Sequence, residues 1–233
     1  MDLIKKKQYN DHYIYEDLKW RNICSKYKAK MIVNLCSQSK FKKIIEIGAG
    51  DGSVLESLNN LDFALKYYAL EISNSGVHQI RKKKIPRLEE VKLFDGVKSK
   101  YKKNEFDLVI MSHVLEHVDY PRQLIKEAKR IGKNLFFEVP CEDNFRLSYN
   151  YKPDNTGHIN FYNPKTFRRL LQTCDLKIEK DNLYNPSLES YVYSKGLKGN
   201  ISYFFKSFLL NINQKIASKI FTYHYSILCS KQL

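Results

Sequence analysis

Lys42-Lys43-Ile44-Ile45-Glu46-Ile47-Gly48-Ala49-Gly50-Asp51-Gly52-Ser53 decides how the rest of the chain is read. The β-branched residues Ile44, Ile45 and Ile47 predict a buried strand that stops abruptly at glycines. Val54 and Leu55 then open a helix. Strand, glycine turn and helix start make up a nucleotide-binding βα unit. The glycines let the backbone turn sharply and let a ligand approach without a Cβ in its way. Beyond them the helix N-terminus presents N–H groups with no partner inside the helix.

Spacing narrows the ligand. A dinucleotide fingerprint counted from Gly48 and Gly50 would need its third glycine where Ser53 stands. A phosphate-binding loop of the Walker type would end in Gly-Lys-Ser/Thr, and this turn has no lysine. What stands is E-x-G-x-G-x-G, with Glu46 before the turn and Asp51 inside it. Two carboxylates would repel a pyrophosphate and suit a ligand carrying cationic groups. The arrangement resembles the first motif of the class I S-adenosylmethionine-dependent methyltransferases. In that family the ligand carries an ammonium and a sulfonium.

Two further stretches carry the resemblance. Tyr67–Glu71 reads as a second strand, and Glu71, 19 residues past Gly52, ends it. An acid at this place can accept hydrogen bonds from both hydroxyls of a ribose. Phe106–Met111 is an almost continuously apolar fourth strand, as in the middle of a parallel sheet. It runs into Ser112-His113-Val114-Leu115-Glu116-His117-Val118, which looks like the motif after the fourth strand in the methyltransferases of small molecules.

The resemblance covers residues 41–183 and the last strand. It implies a doubly wound α/β fold, Rossmann-like, with a seven-stranded, mostly parallel sheet of order 3-2-1-4-5-7-6. It also implies S-adenosylmethionine as cofactor, with S-adenosylhomocysteine as product. The positions matched to the cofactor are Glu46, Gly48, Ala49, Gly50, Gly52, Glu71, Ile72, Asp95, Gly96, Ser112 and His113. Asp95 ends the third strand, where the family often pairs an acid with the adenine amino group. Asp-Gly is also a common turn pair.

The acceptor is less legible, because one scaffold of this kind serves many acceptors. If it is a hydroxyl, a base must take its proton, and a histidine suits that task at neutral pH. His113, His117 and His158 are the candidates. His158 leads, in Gly157-His158-Ile159-Asn160-Phe161-Tyr162, a segment that also looks like this family group. Tyr149, Tyr151, His158 and Tyr162 are the expected acceptor-binding residues. No metal is expected, although Glu116 beside two histidines resembles metal-dependent quinone O-methyltransferases.

The remainder of the chain sets bounds. Its 233 residues suit one α/β domain with extensions. Five scattered cysteines without a C-x-x-C pair argue for reduced thiols in a cytoplasmic protein. No secretion signal is evident at the N-terminus, and no apolar run approaches the length of a membrane span. The formal net charge of +15 includes clusters at Arg81–Lys84 and 98–103. This surplus suits a small anionic, phosphorylated acceptor such as a nucleotide-activated sugar or surface-polysaccharide precursor; RNA comes second and nucleic-acid signatures are missing.

Residues 1–40 are expected to form a helical lid with one or two helices. Residues 184–220 form an insertion before the last strand. Within it, Ser187–Asn200 reads as polar with Gly196 and Gly199 as breakers, and Ile201–Ile220 as one amphipathic helix. The insertion would cap the active site, form a homodimer contact, or lay a basic face on a membrane surface.

Overall fold

A computed structural model of the chain describes residues 17–36, 41–150 and 157–232. Helix α1 (Leu18–Leu35) comes first, followed by β1 (Phe41–Ile47), α2 (Ser53–Asn60), β2 (Ala64–Glu71), α3 (Asn74–Lys83) and β3 (Leu88–Leu93). The second half runs β4 (Phe106–Ser112), α4 (Pro121–Ile131), β5 (Gly132–Pro140), α5 (Pro164–Gln172) and β6 (Leu176–Tyr184). Three helices, α6 (Leu188–Lys195), α7 (Leu197–Ile212) and α8 (Gln214–Ile220), precede β7 (His224–Lys231). The sheet order is β3-β2-β1-β4-β5-β7-β6, with β7 antiparallel to both neighbours and the other pairs parallel. This is the order the resemblance implied.

Side-chain alternation explains why the sheet is covered on both faces. Ile44, Leu108, Ile110 and Phe136 pack with Ile32 of α1 and Leu55 and Leu58 of α2. Their chain neighbours Ile45, Val109, Met111 and Phe137 pack the other way, with Leu124 and Ile125 of α4 and Phe167 of α5. Successive residues of a strand point to opposite faces, so near-continuous apolar runs are what a doubly covered parallel sheet requires. Leu124, Ile125, Ala128 and Ile131 form the buried stripe of α4, which starts at Pro121, a residue tolerated in the first helical turn.

Tyr67 shows how tightly the βα layer is tied. Its side chain is fully buried, its hydroxyl accepts from Ala64 N–H at 2.9 Å and donates to Leu58 C=O at 3.1 Å. Tyr67→Phe would orphan the Ala64 N–H, so we expect a loss of about 1–3 kcal/mol, measured as a lower midpoint in urea denaturation.

The N-terminal segment carries a helix as expected, and the insertion before β7 departs from expectation. One helix, α1, is found among the described residues of the N-terminal segment, and it belongs to the packed layer: Ala29 and Ile32 are fully buried. Residues 1–16 and 37–40 of the expected lid lie outside the described residues. The segment read as polar is helical, because Ser187 caps α6 through Ser190 N–H and α7 continues through Gly199. Gly199 is needed there for closeness: a Cβ would lie 2.2 Å from the Tyr191 carbonyl oxygen. The expected single helix is two, split at Asn213, whose extended backbone and side chain cap α8 at Ile216 N–H. The last strand consequently starts at His224 rather than Phe221.

Candidate active site

The glycine turn lies at the carboxyl end of β1, where open α/β sheets hold ligands. Gly48, Gly50 and Gly52 all have positive φ, at 74°, 59° and 80°. A Cβ on Gly48 would also stand 2.5 Å from Val114 Cγ2, so the turn after β4 presses directly on the turn after β1. Gly48 and Ala49 N–H both donate to Leu70 C=O, which joins the turn to the end of β2.

Glu71, at that end, is buried and accepts from Gly50 N–H at 2.8 Å and from the Ser73 N–H and hydroxyl at 3.0 Å. Burial leaves its pKa above the ordinary carboxylate value although these donors pull it down. Ile72 and Gly96 come together beside it, Ile72 Cδ1 lying 3.8 Å from the place of a Gly96 Cβ. Asp95 is exposed and closes a turn by accepting from Val97 N–H at 2.8 Å.

The two turn carboxylates separate in role. Asp51 accepts from the Ser53 hydroxyl at 2.6 Å and pairs with Arg21 at 3.2 Å. Burial raises its pKa, and the Ser53 bonds with Arg21 and Lys83 more than offset this, so Asp51 stays ionised and ties α1 to the turn. Glu46 is buried, and its Oε2 has no hydrogen-bond partner among the described residues. Burial pushes its carboxyl well above the usual range, against the pull of Lys28. Ser112 Oγ, at the end of β4, is likewise buried without a partner. Buried polar atoms are nearly always satisfied, so each of these two orphaned atoms could accept from a donor-bearing ligand.

A cluster of histidines and glutamates fills the ends of β4, β5 and β7. Ser112 is in register with Glu138, and Pro140 with His224, so strand pairing alone assembles part of it. His113 Nε2 lies 2.9 Å from Glu138 Oε1 and 3.3 Å from His224 Nδ1. His113 Nδ1 is 3.2 Å from Glu116 Oε1, outside hydrogen-bonding geometry. Burial alone would depress the His113 pKa; Glu116 and Glu138 outweigh it and raise it. The same histidines hold Glu138 well below its ordinary range despite full burial, while burial takes His224 down to about 4.

The segment holding His158 is stitched to the turn after β4. Ile159 and Asn160 N–H donate to Glu116 C=O, and Asn160 Nδ2 donates to Leu115 and Val118 C=O. His117 Nδ1 meets Gly157 O at 3.3 Å, and the His117 and His158 rings meet edge-on at 4.7 Å. His158 Nδ1 lies 2.6 Å from Glu142 Oε2. Burial opposes protonation of both rings. It lowers the His117 pKa, whereas Glu142 raises that of His158. Tyr162 is buried and its hydroxyl donates to Leu115 C=O, so it braces this turn. Tyr149 stands wholly in solvent, and Tyr151 lies outside the described residues.

Among the described residues two sets offer three metal-ligating atoms within 4.8 Å: His113, Glu138 and His224, and Glu116, His117 and His158. The first set satisfies itself by hydrogen bonds. In the second, both carboxylate oxygens of the fully buried Glu116 lack a hydrogen-bond partner. Glu138, Glu142, His224 and Lys28 were not anticipated from the sequence. A lone acid inside the apolar run Phe136-Phe137-Glu138-Val139 was the one local signal of Glu138.

Comparison with known proteins bears on the family and the fold. The family model described as a methyltransferase domain matches residues 20–181. The ubiquinone biosynthesis O-methyltransferase of Candida albicans is 30% identical over 93 residues, which is 38% of this chain and 28% of that protein. A SAM-dependent methyltransferase from Aquifex aeolicus superposes with a TM-score of 0.58 at 12% identity, covering 98% of both chains. Geranyl diphosphate C-methyltransferase from Streptomyces coelicolor A3(2) gives 0.61 at 12% identity over 88% of this chain and 79% of its own. At such identities the structural likeness is one of fold.

Proposed function

Since the chain belongs to the methyltransferase-domain family, we propose that it moves a methyl group from S-adenosylmethionine to a hydroxyl oxygen of a small, anionic acceptor. The observation that carries this reading is the Glu142–His158 pair, held by the 157–162 segment against the turn that touches Gly48.

The residues present fit the cofactor. The orphaned Glu46 and Ser112 oxygens call for donors, and an ammonium group supplies them; its charge would also draw the raised Glu46 pKa back down. Glu71 would take the ribose hydroxyls, with the Ser73 hydroxyl giving way to them. The cofactor supplies a methyl on a sulfonium, ready for in-line displacement.

His158 then acts at the acceptor. Glu142 accepts from Nδ1–H, which leaves Nε2 as the atom that takes the hydroxyl proton while the O–CH3 bond forms and the S–CH3 bond breaks. His113 is a weaker candidate because Glu138 and His224 already engage its Nε2. The lysine surplus supports a phosphorylated acceptor such as a nucleotide-activated sugar or polysaccharide precursor.

Calorimetric titration with S-adenosylmethionine should show one site per chain, and Glu71→Ala should weaken it by about tenfold or more. Unchanged affinity in Glu71→Ala would remove the ribose assignment. Transfer of labelled methyl to nucleotide-sugar pools, with none to RNA, is the expected result for the acceptor; labelling of RNA alone would overturn it. A quinone or phenol acceptor is the second reading, favoured by the Candida relative and by Glu116, whose carboxylate oxygens accept no hydrogen bond from the described residues, beside His117 and His158. It predicts stimulation by a divalent cation and loss of activity with a chelator.

A further inference from the structure

Helix α7 carries its apolar residues on the wrong side for a core helix. Leu197, Ile201, Phe204, Phe205, Phe208 and Ile212 range from 58% exposed at Phe205 to 85% at Leu197. At 3.6 residues per turn they fall in one stripe about 100° wide. The opposite face is the one packed on the protein. Gly199 lies against α6, the Tyr203 carbonyl and Ser207 hydroxyl accept from Asn185, and Leu210 is buried. Lys206 on that face donates to Thr222 C=O.

The stripe extends beyond α7. Ile216 of α8 is 51% exposed, and the loop after β5 adds Phe145, 81% exposed, whose N–H donates to Lys219 C=O. Phe145 is three residues from Glu142, so the apolar surface reaches the flank of the candidate site. Exposed apolar residues concentrated on one helix face in this way mark an interaction surface.

We infer that this face docks on an anionic phospholipid membrane, with α7 lying in the plane of the interface. Charge selects the occupant. From Ser190 to Gln232 there are six lysines and no acidic side chain, and Lys195, Lys198, Lys215 and Lys219 are exposed around the stripe. Large apolar residues flanked by lysines are the composition of an interfacial helix, and anionic lipid attracts each lysine. A second copy fits poorly, because a two-fold contact would press these lysines together and neither α7 nor α8 carries a carboxylate to neutralise them. Among the described residues no helix is long and apolar enough to cross a membrane, so the contact is peripheral. The inference stands independently of the methyl-transfer reading.

The test is flotation of the full chain with phosphatidylcholine vesicles, with and without phosphatidylglycerol. The chain is expected to float with the mixed vesicles and much less with phosphatidylcholine alone. Combining Ile201→Ser, Phe204→Ser and Phe208→Ser should reduce flotation by about tenfold or more, with circular dichroism and S-adenosylmethionine affinity unchanged. Lys198→Glu, Lys215→Glu and Lys219→Glu together should erase the preference for anionic vesicles. Flotation unaltered by both sets would overturn the inference. So would no flotation of the unaltered chain, which leaves an acidic protein surface as the occupant. A concentration-dependent dimer lost with the apolar set, without vesicle binding, would assign the face to a second copy.

Discussion

Replacing His158 by alanine is expected to lower kcat for methyl transfer by about 10²–10⁴-fold and to leave the affinity for S-adenosylmethionine unchanged. The two effects separate because His158 meets the protein through Glu142 and His117, whereas the positions proposed for the cofactor include the glycine turn and Glu71. A hydroxyl is a poor nucleophile until its proton has somewhere to go, so loss of the base falls on the chemical step. Single-turnover rates with labelled cofactor, beside calorimetric binding, would check both halves. A fall of less than about tenfold would show that no base is needed at this position.

The pH profile gives the same assignment a second readout. Glu142 raises the His158 pKa above its ordinary 6.5, and only neutral His158 can accept a proton. Activity should therefore fall as pH drops through that raised value. Glu142→Gln removes the charge that favours imidazolium, so the acid limb should move to lower pH even as the maximal rate declines through looser orientation of the ring. A limb that stays in place would detach the profile from His158.

The fold was legible where a local pattern has one structural solution. Glycines after a β-branched run, an acid ending the next strand, and an apolar strand leading into V-L-E-H-V all recur at the places their spacing gives. The histidine–glutamate cluster was only half legible. His113, His117 and His158 stand out by type, but Glu138 meets His224 because β5 and β7 pair antiparallel across most of the second half of the chain. No spacing rule encodes such a meeting. Helix α7 shows a different limit. Its period was read from the sequence, yet period alone does not say which face turns inward. Here Gly199, packed on the Tyr191 carbonyl, decides that the bulky face turns out. Asn213 split the helix for a local reason, since its side chain serves the next helix start better than it serves a continuing turn.

Glu138→Ala should be the most damaging single change for stability, at about 3–5 kcal/mol. For a chain of this size that is a fall in Tm of roughly 6–20 °C. The glutamate is fully buried and holds His113 at 2.9 Å, His224 at 3.5 Å and the Ser226 hydroxyl at 3.3 Å. Its removal leaves the His113 ring without this carboxylate, on a backbone already in the left-handed region, at φ 56°. The contribution should depend on pH in two directions. The raised His113 pKa makes its share full below the ordinary 6.5 and lost as pH rises through the folded value. The depressed Glu138 pKa makes its share full above the ordinary 4.5 and lost as pH falls through the folded value. The stability gap between the unaltered chain and Glu138→Gln should therefore be widest between these ordinary values and narrow on either side. A cycle with His113→Asn, a residue that tolerates left-handed backbone, completes the argument. Once Glu138 is gone, the second change should cost far less than it does alone. Simple additivity would mean that the two side chains do not act as a pair.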